Sequence, residues 1–127
     1  MNIPGDLKYT KTHEWVRLEG GTAVVGVTDF AQHELGDIVF VEAPGEGSAV
    51  SAGQPMGSVE SVKAVSEVNA PVDGTVAQVN ATLQDHPELL NQDPYGEGWI
   101  AKITLSGDGA GLMDASAYAA YVAESAH

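Results

Sequence analysis

The 127-residue chain sets 18 acidic residues against five basic ones, a formal charge of −13, which disfavours nucleic acid and anionic membrane surfaces as partners and favours proteins with basic docking surfaces. At 43% hydrophobic it can bury a core and reads as one domain over residues 1–127. It has no cysteine, so it has no disulfide framework and no thiol of its own; with no signal-like or membrane-length apolar run, the expectation is a cytoplasmic monomer.

From the N-terminus, His13–Leu18 and Thr22–Thr28 are β-favouring stretches on either side of Gly20-Gly21, a hairpin signal. Asp29–Gly36 follows as a two-turn helix, with Thr28 or Asp29 as N-cap and Gly36 as a left-handed stop. Asp37–Glu42 is apolar on both faces and is expected in the middle of a sandwich. Gly45–Gly53 reads as a flexible stretch, Met56–Val62 and Val65–Asn69 as the arms of a second hairpin, and Thr75–Val79 as a further strand. Pro87–Leu90 fits one helical turn with Pro at its first position. Trp99–Leu105 places Trp99, Ala101, Ile103 and Leu105 on one strand face. After a loop at Ser106–Gly111, Leu112–Glu124 is expected to form a helix packed on the β body through Ala115, Ala119 and Val122, with Tyr118 and Tyr121 beside them. Seven or eight short strands and two or three helical pieces predict a mainly β protein, a compact sandwich or flattened barrel with a short helix after the first hairpin and a C-terminal helix.

The second hairpin is a palindrome. Val59-Glu60-Ser61-Val62-Lys63-Ala64-Val65-Ser66-Glu67-Val68 reads alike from both ends except at its central pair, Lys63 and Ala64. With Lys63-Ala64 as a two-residue turn, Val62 faces Val65, Ser61 faces Ser66, Glu60 faces Glu67 and Val59 faces Val68. An exposed lysine at a hairpin tip has an ordinary explanation, since it discourages edge-to-edge pairing. Against it stand the scarcity of lysine (Lys8, Lys11, Lys63 and Lys102), the symmetry centred on Lys63, and the poor turn chemistry of Lys-Ala. Glu60 and Glu67, expected opposite each other, are solvated strand residues or marks that identify the hairpin to a modifying enzyme. Glu14, in Thr12-His13-Glu14-Trp15, is a weaker candidate. His13 reads equally well as a half-buried histidine bonded to the backbone. His33, His86 and His127 share no spacing with carboxylates that would build a metal site, and no metal is expected.

The run Glu60-Ser61-Val62-Lys63-Ala64-Val65-Ser66-Glu67-Val68-Asn69-Ala70-Pro71, with Gly74 after it, resembles the H-protein family of the glycine cleavage system. So do Leu7-Lys8-Tyr9, His13-Glu14-Trp15-Val16, Gly26-Val27-Thr28-Asp29, Ala31-Gln32, Leu35-Gly36-Asp37-Ile38-Val39-Phe40-Val41, and Asn91-Gln92-Asp93-Pro94-Tyr95-Gly96 with Gly98-Trp99. The resemblance implies a barrel-sandwich hybrid of the lipoyl- and biotinyl-carrier kind, and lipoic acid in amide linkage on Lys63. It implies a carrier, not an enzyme. The arm would accept an aminomethyl group from glycine at a pyridoxal-phosphate glycine decarboxylase and present it to a tetrahydrofolate aminomethyltransferase. A flavin (FAD) dihydrolipoyl dehydrogenase would reoxidise it, and a lipoyl ligase or lipoyl/octanoyl transferase would attach it. Glu60, Val62, Ala64 and Gly74 would serve recognition of the hairpin; Thr12, Glu14 and Glu67 would contact the loaded arm. Glu67 stands where Asp is also familiar, and Glu34 stands where some relatives carry His. Rival readings are a lipoyl-relay donor, the lipoyl domain of a 2-oxoacid dehydrogenase complex, which resembles Asp-Lys-Ala at its tip, and a small acidic hydrolase using Glu60 and Glu67.

Overall fold

A computed structural model describes residues 2–107 and 111–125. Its strands are β1 (Lys8–Tyr9), β2 (Glu14–Glu19), β3 (Thr22–Val27), β4 (Ile38–Glu42), β5 (Ala49–Val50), β6 (Pro55–Ser61), β7 (Val65–Asn69), β8 (Gly74–Val79) and β9 (Ala101–Leu105). The helices are α1 (Asp29–Leu35), α2 (Thr82–Asp85), α3 (Leu89–Gln92) and α4 (Ala115–Ser125). All strand pairings are antiparallel. One sheet runs β1-β2-β3-β9-β8-β5 and the other β4-β6-β7.

The two sheets close on an apolar layer of Val27, Ile38, Val41, Val59, Val68, Leu90 and Ile100. A second cluster lies beneath α4, where Leu7, Tyr9, Trp15, Val24, Phe30, Tyr118 and Val122 meet. Trp15 anchors it, with no exposed surface and its indole N–H donated to the Pro94 carbonyl at 2.8 Å. A methyl group at Gly26 would stand 2.6 Å from that indole nitrogen, so the ring lies directly on bare backbone. Packing this close is what makes core volume changes costly.

Local signals account for most of the elements. Thr28 caps α1 by accepting the Ala31 N–H at 3.2 Å, and Gly36 ends the helix at φ 79°. The expected C-terminal helix starts three residues late: Asp114 takes the capping role through the Ala117 N–H at 2.8 Å, while Met113 and Tyr9 exchange two backbone hydrogen bonds. Its buried face is Tyr118 and Val122, whereas Ala119, expected on that face, is exposed. Residues 108–110 of the expected Ser106–Gly111 loop lie outside the described residues.

Other expectations change. The Asp37–Glu42 strand is an edge strand: β4 pairs with β6 alone, a bulge between Ile38 and Phe40 turns Val39 and Phe40 outward, and both are exposed. Its free edge is covered by side-chain amides, with Asn91 Oδ1 accepting the Ile38 N–H at 2.9 Å and Gln84 Nε2 donating to the Val41 carbonyl at 3.2 Å; this is the cover an exposed strand edge needs. The Pro87 turn precedes its helix, which begins at Leu89. Trp99 lies before β9. The two-residue strands β1 and β5 and the single turn α2 were not expected, because pairing rather than propensity creates them. With them the count among the described residues is nine strands and four helices.

Candidate functional site

The palindromic hairpin forms, in a different register. Glu60 lies opposite Val65, Val59 opposite Ser66, Ser58 opposite Glu67 and Gly57 opposite Val68. Two-residue turns favour positive φ, which Lys63 and Ala64 do not adopt. The turn sits one residue earlier, with Val62 and Lys63 at its centre, and is closed by Ser61. Its N–H donates to the Ala64 carbonyl at 2.8 Å, and its hydroxyl oxygen accepts the N–H groups of Ala64 at 3.0 Å and Lys63 at 3.3 Å. The expected opposition of Glu60 and Glu67 is thereby removed: each faces an uncharged residue, on the same exposed side of the sheet. The hydrolase reading loses its facing carboxylate pair with it.

A further bond braces the tip from outside the hairpin, the Val62 N–H donating to the Asp37 carbonyl at 3.1 Å. The Lys63 stem runs past the end of α1, with Cε 3.7 Å from the point a Gly36 side chain would occupy. Val62, Lys63, Ala64 and Val65 are exposed. Ion pairs among the described residues are Arg17–Glu19 and His86–Glu88; Lys63 is in neither. Gly74 is not at the tip. It opens β8 in the other sheet, where a Cβ would collide with the Thr104 carbonyl oxygen, so its bareness is a packing requirement.

Glu14 is a different kind of site. It is 1% exposed, at the start of β2. Its Oε1 accepts the hydroxyls of Thr10 at 2.7 Å and Thr12 at 2.5 Å, and its Oε2 accepts the Asn69 N–H at 3.2 Å. Burial pushes its carboxyl above the usual range, and the hydrogen bonds from Thr12, Thr10 and Asn69 oppose that rise. Asn69 belongs to β7, two residues beyond Glu67. The structure therefore brings Thr12, Glu14 and the Glu67 strand together along one edge. Thr10 and Asn69 were missed by sequence reasoning; the alternation Thr10-x-Thr12-x-Glu14 was the available signal for Thr10, and nothing local marked Asn69.

His13, between Thr12 and Glu14, has φ 72°, the sole positive value at a non-glycine among the described residues. It lies in a turn, not a strand, and its Nδ1 bonds the Tyr118 hydroxyl at 2.8 Å where a backbone partner was one expectation. Burial lowers its pKa from 6.5, against the pull of Glu34. His33 is exposed on α1, His86 pairs with Glu88, and His127 lies outside the described residues. Among the described residues no three His, Asp or Glu side chains come close enough to hold a metal ion.

A lysine raised on a braced hairpin of a two-sheet sandwich, in a chain without thiols, is the presentation expected of a carrier. The comparisons with known proteins agree. The family model described as glycine cleavage H-protein matches residues 7–125. A glycine cleavage system H protein of Nitratidesulfovibrio vulgaris (strain DSM 19637 / Miyazaki F) is 54% identical over the whole of both chains, and one of Herpetosiphon aurantiacus is 52% identical over 99% of this chain and 98% of that one. The crystal structure of a glycine cleavage system H protein from Mycobacterium marinum superposes with a TM-score of 0.85 at 39% identity, covering 98% of this chain and all of the other. The chain belongs to the glycine cleavage H-protein family, whose members are lipoyl-bearing carriers, and its architecture is that family's barrel-sandwich fold. This assignment replaces the 2-oxoacid dehydrogenase reading. No helix among the described residues is long and apolar enough to cross a membrane.

Proposed function

We propose that Lys63 is the lipoyl attachment point and that residues 1–127 act as one non-catalytic carrier domain in the cytoplasm. The observation that carries this reading is the tip itself: an exposed amine, outside any ion pair among the described residues, on a turn held by Ser61 and by the Asp37 carbonyl. These residues fit the group. An amide at Nζ meets no steric barrier in an exposed tip, and the backbone below stays fixed while the arm above it moves. When bound there, the lipoyl group would supply the dithiol chemistry the chain lacks, as an acceptor for the aminomethyl group of glycine and as a reversible redox couple.

The partners in this reading are a pyridoxal-phosphate glycine decarboxylase, a tetrahydrofolate aminomethyltransferase, an FAD dihydrolipoyl dehydrogenase, and a lipoyl ligase or lipoyl/octanoyl transferase. Tethering keeps the cargo at high effective concentration at each of them. Glu60, Val62 and Ala64 form the surface those enzymes meet at the tip; Gly74 contributes through the packing of β8. Roughly 16 Å of β7 separates Ala64 from Asn69 at about 3.3 Å per residue, further than a lysine side chain reaches. Only a long attached arm brings cargo to Glu14. There a protonated aminomethyl amine finds the Glu14 carboxylate with Thr12, and Glu67 nearby, partly sheltered from water.

Intact-mass and peptide analysis of protein made in lipoate-replete cells tests the attachment. The expected result is one lipoyl group on the Lys63 peptide; modification at Lys8, Lys11 or Lys102 instead overturns it.

A further inference from the structure

We infer that Tyr118, on the C-terminal helix α4, is a positioning residue that fixes the Glu14 carboxylate relative to the lysine hairpin. This rests on the reading of Glu14 as a contact for the loaded arm. The Tyr118 ring has no exposed surface and stacks on Tyr9 at 4.6 Å between centroids, 7° from parallel. Its hydroxyl bonds one residue in the Glu14 turn and one at the start of the helix that leads to the hairpin. On one side it bonds His13 Nδ1 at 2.8 Å, and on the other Thr28 Oγ1 at 2.8 Å.

The His13 branch controls the carboxylate. A left-handed conformation at a residue with a Cβ is costly and persists only when its surroundings over-determine it. Here the constraints are the His13 N–H to the Thr10 carbonyl at 3.2 Å, the Thr28 N–H to the His13 carbonyl at 3.0 Å, and the ring nitrogen on Tyr118. That turn aims the Thr10 and Thr12 hydroxyls at Glu14 Oε1. The Thr28 branch controls the hairpin. Thr28 Oγ1 caps α1, and the far end of α1 runs through Gly36 into Asp37, whose carbonyl holds Val62.

A phenol offers one donor and two lone pairs. Two proton arrangements satisfy the chain, Thr28 to Tyr118 to His13 or the reverse, and both require the hydroxyl. Burial raises the Tyr118 pKa, with Thr28 opposing, so the phenol stays protonated. Phenylalanine would keep the stack and lose both bonds.

The test is Tyr118→Phe, compared with Glu14→Gln and with the double variant. In the uncharged protein, hydrogen exchange should accelerate at the Asn69 amide, which Glu14 holds, by roughly three- to tenfold, the factor of a lost net hydrogen bond, while the Val25 amide is unchanged. In isolated protein charged with the aminomethyl group, Tyr118→Phe should hasten release of that group, and Glu14→Gln with Tyr118→Phe should be no faster than Glu14→Gln alone. His13→Gly, which relieves the strained turn but removes the ring nitrogen, should behave like Tyr118→Phe. Unchanged Asn69 exchange in Tyr118→Phe overturns the positioning role. So does fast release in Glu14→Gln with ordinary release in both Tyr118→Phe and His13→Gly. Ordinary release in Glu14→Gln together with accelerated Asn69 exchange in Tyr118→Phe overturns the reading of Glu14 instead, and leaves only the geometric coupling.

Discussion

Lys63 stands in water on a turn whose side-chain support among the described residues is one serine hydroxyl, while Glu14 is 1% exposed and accepts three hydrogen bonds from two threonines and a neighbouring strand. The lysine turn is closed locally, by Ser61 within four residues, with one longer brace from the Asp37 carbonyl to the Val62 N–H. The Glu14 turn depends on distant groups, through Asn69, 55 residues away, and Tyr118, 105 residues from His13. A site that presents a side chain outward needs a rigid base and nothing above it. A site that shelters a charge must supply hydrogen bonds in place of water, and the fold draws those from wherever they are available.

The sharpest test of this contrast is Lys63→Ala. Glycine decarboxylation and exchange in a reconstituted system should fall to background while stability moves by no more than about 0.5 kcal/mol, as for an exposed residue. Retained turnover would break the distinction by showing that the tip is not the working residue. Glu14→Ala should do the reverse to the fold, costing about 2–4 kcal/mol by emptying a buried site and removing three hydrogen bonds, read as a lowered denaturation midpoint with an unchanged rate of Lys63 lipoylation.

The buried carboxyl also leaves a pH signature. Because burial raises its pKa above 4.5, the native state holds the Glu14 proton more tightly than the unfolded chain. Its contribution to stability is present below that ordinary value and is lost as pH rises through the native one. The stability difference between the wild type and Glu14→Gln should therefore shrink in the wild type's favour on acidification and widen against it above the carboxylate range. A flat difference would mean the carboxylate is better compensated than its burial implies. Smallest is Ser61→Ala, expected to cost about 0.5–1.5 kcal/mol and to speed exchange of the Lys63 and Ala64 amides, with the Glu14 turn unaffected.

How far the chain could be read ahead of its structure followed the same division. Thr28, Gly36, the Gly20-Gly21 hairpin and the lysine hairpin were legible because caps and turns act between residues a few positions apart. The register at Lys63 was not. The palindrome suggested a turn at Lys63-Ala64, but Ser61 spends its hydroxyl on the Lys63 and Ala64 amides, and the turn centred one residue earlier slides each carboxylate away from the other. The edge position of β4 was hidden for a similar reason, since the amides of Gln84 and Asn91 that cover its free edge lie 43 and 53 residues from the strand groups they bond.

The amino-acid sequence by itself determined the β-rich class, the exposed lysine, the absence of a protein thiol and, through resemblance, the family. These depend on composition, periodicity and short-range stereochemistry, which a linear chain displays. Tertiary structure alone decided that Glu60 and Glu67 do not face each other, that Gly74 serves packing, and that Glu14 is buried against Thr10, Thr12 and Asn69 beneath a histidine held by Tyr118. Hydrogen bonds reach only about 3 Å, so which distant groups satisfy a buried charge is settled only when folding brings them within that distance.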